Sequence, residues 1–327
     1  MARALVTGAA GFIGSHLVDA LLADGHAVLG VDCFNDNYAA EDKRANLAGA
    51  NDHDAFELLT GDLVDLDAHR LVEQSDVIFH LAGEPGVRGS WGKRFDRYTH
   101  HNVGATQHLL EAMADAGDGK RFVYASSSSV YGDALTLPTR EDATPRPLSP
   151  YGVTKLAAEH LCVLYGEEQD VNTVALRFFS VYGPRQRPDM AFRRFCEAIV
   201  GGRPIEVFGD GRQSRDFTYV ADIVAATLAA GFADTPPGRV YNLGGGGSVS
   251  VNRALETLAA LAGRPLDVRH GERQEGDVAD TGADTARARA ELGWTPATPL
   301  RDGLAAELDW VRERAVPFPR MRSLSAS

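Results

Sequence analysis

A chain of 327 residues with 44% hydrophobic and 24% charged side chains has a globular composition and is long enough for one large domain or two unequal ones. Its formal net charge of −12 argues against a nucleic-acid partner, which needs clustered Lys and Arg, and requires any anionic ligand to be met by local positive charge. Three cysteines, Cys33, Cys162 and Cys196, lack CxxC or Cys/His ligand spacing, so reduced thiols are expected, with no disulfide framework and no metal site. No run of about 18 apolar residues occurs, so no membrane partner is expected, and the location expected is cytoplasmic.

Along the chain, Ala4 to Thr7, Ala27 to Val31, Val77 to Leu81, Arg121 to Ser126 and Asn172 to Leu176 read as buried strands, with helical patterns between most of them. That alternation predicts an α/β fold with a parallel, doubly wound sheet. From about Gly183 the rhythm breaks into Pro-, Gly- and Arg-rich segments around helices such as Phe192 to Val200, which marks a smaller second lobe. No internal repeat is present.

The first strand runs into Gly8-Ala-Ala-Gly11-Phe12-Ile13-Gly14 and then an amphipathic helix carrying Leu17, Val18, Leu21 and Leu22. Such glycines permit a tight turn and let a pyrophosphate approach the backbone amides at a helix N-terminus. The second strand ends on Asp32, 18 residues beyond Gly14, where a carboxylate accepts from both ribose hydroxyls of NAD and repels the 2′-phosphate of NADP. The spacing therefore predicts NAD as cofactor. Asp62, in Gly61-Asp62-Leu63, is placed either to reach the adenine amine or to cap a helix.

Two further stretches carry chemistry. Ser126 to Ser129 follow an apolar run directly, and read either as a linker or as a strand end presenting hydroxyls. Tyr151 and Lys155 stand four apart at the start of a helical pattern running through Glu167, so they share one face. A nearby ammonium stabilises a phenolate and brings a tyrosine toward working pH; the plain alternative is a core aromatic beside a solvated lysine.

With the glycine turn, Asp32, the serine run and Tyr151/Lys155 in this order, the chain resembles the extended short-chain dehydrogenase/reductases, within them the nucleotide-sugar epimerases, dehydratases and decarboxylases. The resemblance spans nearly the whole length and includes His80-Leu81-Ala82-Gly83, Asn102-Val-Gly-Ala-Thr106, Arg177 to Gly183, Arg215 to Val220 and Tyr241 to Gly244. It implies a Rossmann-type NAD-binding domain over 1–182 carrying the Tyr/Lys helix. Residues 183–315 would form mostly a substrate-binding lobe, with segments returning to the sheet, and 316–327 a frayed tail. It implies that Gly8, Gly11, Phe12, Ile13, Gly14, Asp32, Asp62, Leu63, Leu81, Ala82, Gly83, Asn102, Tyr151 and Lys155 contact NAD. It also implies that Tyr151 is the acid/base, that Lys155 supports it, and that Ser127 hydrogen-bonds the sugar O4.

The two positions after Ser127 discriminate among reactions. Related dehydratases carry Asp-Glu there and related decarboxylases carry Glu at the second, whereas this chain has Ser128 and Ser129. Gly183-Pro-Arg185-Gln-Arg-Pro-Asp-Met-Ala-Phe192 and Gly86-Val-Arg88-Gly-Ser-Trp91 resemble segments of UDP-glucuronate 4-epimerases. The implied substrate contacts are Arg88, Ser127, Ser128, Ser129, Ser180, Arg185, Arg215 and Asp277. The expected partner is therefore a UDP-sugar, most similar to UDP-glucuronate, epimerised at C4 to UDP-galacturonate. UDP-glucuronate decarboxylation, neutral UDP-sugar epimerisation and a non-catalytic NAD-binding regulator are the alternatives. Glu84-Pro85 departs from the Ala-Gln or Ala-Ala usual there. Relatives pair helices matching Asn102 to Ala116 and Tyr151 to Glu167, which implies a homodimer.

Overall fold

The computed structural model describes residues 1–117, 119–272 and 276–315. Seven strands form the main sheet: β1 (Arg3–Thr7), β2 (Ala27–Asp32), β3 (Phe56–Thr60), β4 (Val77–His80), β5 (Arg121–Ser127), β6 (Thr173–Phe178) and β7 (Arg239–Leu243). Their spatial order is β7-β6-β5-β4-β1-β2-β3, and every pairing is parallel.

Alternate side chains of these strands feed two cores, as the two-residue pleat requires. Ala4, Val6, Val123 and Ala125 pack on one face with helices Phe12–Ala23 and Val220–Phe232. Leu5, Phe122 and Tyr124 pack on the other with Ala105–Ala116 and Pro150–Glu168. Both faces are covered, which explains why the central strands read as continuous apolar runs.

The sequence expectation of five apolar strand runs missed two strands. β3 is an edge strand with largely exposed or half-exposed side chains, so it carries no apolar run. β7 lies beyond Gly183 and returns to the sheet beside β6. A third core, with Phe192, Phe195, Leu255, Leu258, Leu304 and Leu308, holds the C-terminal lobe. It joins helices Ala191–Val200, Val251–Ala262 and Leu300–Ala315. The tail expected to fray, 316–327, lies outside the described residues. Among the described residues no helix is long and apolar enough to cross a membrane.

The sheet order reverses between β1 and β4, and in an open α/β sheet the crevice at that switch point receives the ligand. His80 braces it, its Nδ1 lying 2.8 Å from Thr7 Oγ1 and its Nε2 3.0 Å from Thr106 Oγ1. Because the Thr106 hydroxyl donates to Asn102 O, Nε2 carries the proton. Burial pushes the imidazole down to about 3, so this brace is neutral.

Candidate active site

The turn after β1 fits a dinucleotide on steric grounds. Gly8 has φ +70° and a Cβ there would stand 2.8 Å from Ala82 N; at Gly14 it would stand 2.1 Å from Gly8 O. Helix Phe12–Ala23 therefore packs directly on the turn, and its first residues, Phe12 to Gly14, line the crevice. A cavity of about 210 Å³ opens over it, lined by Gly8, Gly11, Phe12, Ile13 and Gly14 with Asp32, Asp62, Leu63, Leu81, Ala82, Gly83, Tyr151 and Lys155.

Asp32 is buried, accepting from Ala10 N at 3.1 Å and Phe34 N at 2.8 Å, with Lys43 Nζ at 3.9 Å. The carboxylate thus ties the glycine turn to the end of β2. Asp62 lines the same cavity. Burial acts to raise its carboxyl, but the Val64 amide at 3.2 Å and the His100 ring at 3.0 Å outweigh it and hold it below its ordinary value. Sequence spacing gave no sign of metal ligands, whereas the fold gathers Asp62, His100 and His101 within 4.8 Å. The Asp62–His100 hydrogen bond lies within that cluster.

Asn102 differs in position from the other residues expected to meet the cofactor. It lies in the wide-turn segment Thr99–Gly104 preceding helix Ala105–Ala116. Its buried amide is engaged by Glu84 N at 2.7 Å, Glu84 O at 3.1 Å and Thr154 Oγ1 at 2.9 Å. It shapes the loop after β4 from behind the cavity wall.

Helix Pro150–Glu168 starts where Ser149 accepts from Gly152 N at 3.1 Å with Pro150 in the first turn, a capped start that fixes the next two turns. Tyr151 and Lys155 then face the cavity together. Lys155 is buried, donates to Ala125 O at 3.0 Å and lies 5.1 Å from the centre of the Tyr124 ring. Burial lowers its ammonium to about 8. Burial raises the Tyr151 phenol, opposed by its hydrogen bond with Ser127 and by the charge of Arg187. The guanidinium acting on the phenol is therefore a residue that sequence reasoning did not name.

Arg185 and Arg187 point in different directions. Arg185, with φ +65°, turns out of the cleft and pairs with Asp19 at 2.7 Å. Arg187 turns in, its Nε and Nη2 donating to Asp189 at 3.0 and 2.9 Å, and lines the cofactor cavity and the adjoining one. The left-handed backbone at Arg185 sends the side chain expected to meet substrate toward Asp19 of helix Phe12–Ala23.

The adjoining cavity, of about 580 Å³, lies between the loop after β4 and the C-terminal lobe. Among the described residues five arginines line it, Arg88, Arg94, Arg187, Arg194 and Arg215, beside the carboxylates of Glu84, Asp189, Glu206 and Asp277, a slight local excess of positive charge on an acidic protein. Arg88 and Arg194 lie over the Phe208 ring at 4.3 and 5.2 Å. Arg88 also pairs with Asp277 at 3.1 Å, across the mouth. Arg215 donates to Val278 O at 2.7 Å and Ala279 O at 2.9 Å.

The serine run is the end of β5, not a linker. Ser127 accepts from Ser129 N at 3.1 Å, Ser128–Val130 form a short helical turn, and Ser128, Ser129 and Ser180 line a smaller recess of about 130 Å³ beside Arg215 and Asp277. Beneath them Ser126 donates to Glu159 at 2.6 Å, and Glu159 is gripped by buried Arg177. This buried pair fixes the strand end against the Tyr/Lys helix.

A doubly wound sheet whose cofactor cavity holds a Tyr/Lys pair and shares Glu84 and Arg187 with an adjoining arginine-bearing cavity defines a dinucleotide-dependent enzyme acting on an anionic ligand. The profile of the NAD dependent epimerase/dehydratase family matches residues 4–244, and the chain belongs to that family. YtcB of Bacillus subtilis (strain 168), described as an uncharacterised UDP-glucose epimerase, is 43% identical over 94% of this chain and 98% of its own length. The UDP-glucuronate 4-epimerase of Thermodesulfobacterium geofontis (strain OPF15) is 38% identical over 94% and 96%. The crystal structure of UDP-glucuronic acid 4-epimerase from Bacillus cereus, in complex with UDP-glucuronic acid and NAD, superposes with a TM-score of 0.92 at 41% identity, covering 95% of this chain and 99% of that one.

Proposed function

We propose that the chain is an NAD-dependent 4-epimerase interconverting UDP-glucuronate and UDP-galacturonate through a 4-keto sugar. The observation that carries this reading is the hydrogen bond between Ser127 and Tyr151, which lines the cofactor cavity, followed by Ser128 and Ser129, where an eliminating or decarboxylating relative carries an acid. Gly8, Gly11, Gly14 and Asp32 would hold NAD, which when bound would supply the acceptor for a hydride from C4 and its return to C4. Tyr151 takes the 4-hydroxyl proton and gives it back, and Ser127 orients O4. Lys155, anchored to Ala125 O, holds the cofactor ribose and supports the phenolate.

Oxidation at C4 makes the glucuronate a β-keto acid, which loses carbon dioxide when the bond to its carboxylate stands perpendicular to the new carbonyl. Hydroxyls of Ser128 and Ser180, with the Arg187 guanidinium, hold the carboxylate out of that orientation; charge-assisted hydrogen bonds contribute about 1.5–3 kcal/mol each. Products formed from UDP-glucuronate without added reductant test the reading, UDP-galacturonate being expected. The likeness to YtcB, described as a UDP-glucose epimerase, favours a neutral UDP-sugar as the second reading.

A homodimer through helices Ala105–Ala116 and Pro150–Glu168 belongs to the same proposal. Val153 and Leu164, 48% and 51% exposed on the second of these helices, offer the apolar contact that such a pairing buries. The proposed location is the cytoplasm.

A further inference from the structure

Residues 33–39 leave β2 and lead into helix Ala40–Asn46. Because β1 lies between β2 and β4 in the sheet, a segment that starts at β2 and touches the loop after β4 bridges the crevice above the glycine turn. Asn35 and Asn37 do this, both donating to one oxygen of Glu84, at 3.2 and 3.3 Å. Arg97 adds a third tie, donating to Asp36 at 2.7 Å and standing 3.5 Å from the same Glu84 oxygen. The near end of the segment is anchored too: Lys43 donates to Asn35 O at 3.1 Å and lies 3.9 Å from Asp32. Asn35, Asn37, Lys43 and Glu84 all line the cofactor cavity.

Glu84 is 2% exposed, and its backbone is clamped on both sides by Asn102. A buried carboxylate is costly unless hydrogen-bonded, and two of the three donors that compensate Glu84 come from the bridging segment. We propose that Glu84 is the latch of a strap closed over the cofactor diphosphate, a positioning residue that sets how long NAD stays bound. The inference rests on the epimerase reading, in which the cofactor is regenerated at each turnover and has no need to leave. Peeling the strap away would strip Glu84 of both amide donors, so release is slow.

The test is the release rate of NAD from purified holoenzyme, followed by capture of freed NAD with excess alcohol dehydrogenase and ethanol, for the wild type, Glu84→Gln, Glu84→Ala and Asp36→Ala. Loss of charge-assisted hydrogen bonds predicts release about tenfold to hundredfold faster in both Glu84 variants, with a smaller acceleration in Asp36→Ala. Activity lost on gel filtration of Glu84→Ala should return when free NAD is added, which a misfolded protein would not show. Asp36 has an 81% exposed side chain, so its variant keeps the test open should Glu84→Ala fail to fold. Folded variants releasing NAD at the wild-type rate would overturn the latch. A wild type that never binds NAD would instead overturn the epimerase reading.

Discussion

Lys155 donates to the carbonyl oxygen of Ala125 at 3.0 Å, which ties the residue one turn beyond Tyr151 to the strand that carries Ser127. The three groups of the reaction are thereby held by one helix and one strand end. Because burial lowers the Lys155 ammonium to about 8, its charge is present below that pH and lost above it. The rate of epimerisation by holoenzyme should therefore decline above about pH 8. Lys155→Arg, which keeps its charge, should be slower throughout but lack that decline. A wild-type rate still rising at pH 9.5 would show that the ammonium is not required.

Tyr151→Phe removes the proton carrier while preserving the ring and its packing. The rate should fall by about 10² to 10⁴, the usual contribution of a general acid/base, with little change in UDP-sugar binding. Ser127→Ala removes a hydrogen bond and leaves the base in place, so its loss should be smaller. Steady-state rates beside binding isotherms separate the two effects.

The two loop arginines should behave oppositely. Arg187→Ala should lower kcat/KM for the uronate about 10- to 100-fold, the value of a charge-assisted hydrogen bond to a carboxylate. Lysine should rescue it poorly because it lacks the planar fork that Asp189 holds. Arg185→Ala removes a partly exposed pair with Asp19 and should change kcat/KM little. Equal losses at both positions would contradict their placement.

Stability carries its own pH signature. Glu307 is fully buried, with one oxygen accepting from Gly183 N at 3.0 Å and the other without a hydrogen-bond partner among the described residues. Burial raises its carboxyl well above its ordinary value, only partly opposed by Gly183 N and Arg193. The folded state thus keeps a proton that the unfolded chain loses. Its contribution is complete below about pH 4.5 and shrinks as pH rises toward the folded value, by up to about 1.4 kcal/mol per pH unit. Glu307→Gln should therefore gain stability relative to the wild type between pH 5 and pH 8, as measured by urea unfolding. A gap that is constant across that range would show that Glu307 is ionised in the fold.

Much of this was legible in the residues because the physics is local. The glycine turn, the carboxylate ending β2 and the Tyr/Lys spacing each depend on neighbours a few positions away, and central strands buried on both faces spell themselves out as apolar runs. β3 was not legible because an edge strand lacks that run. Arg185 and Arg187 could not be told apart because spacing in a loop does not fix direction; a left-handed backbone at Arg185 decides it. Glu84 stood out only as a departure from its relatives. Its partners Asn35, Asn37 and Arg97 come from two other segments, and only the folded chain brings them together.

The fate of the oxidised sugar is the most direct measure of whether the serine-lined wall protects a uronate. UDP-glucuronate incubated with holoenzyme and no added reductant, then separated by chromatography with mass detection, should reach a mixture with a mass-neutral isomer, UDP-galacturonate, and give little pentose. Ser129→Glu, which sets a like charge near the carboxylate, should shift the products toward loss of carbon dioxide. A wild-type product lighter by carbon dioxide, or an inert uronate beside steady turnover of UDP-glucose, would contradict epimerisation of UDP-glucuronate.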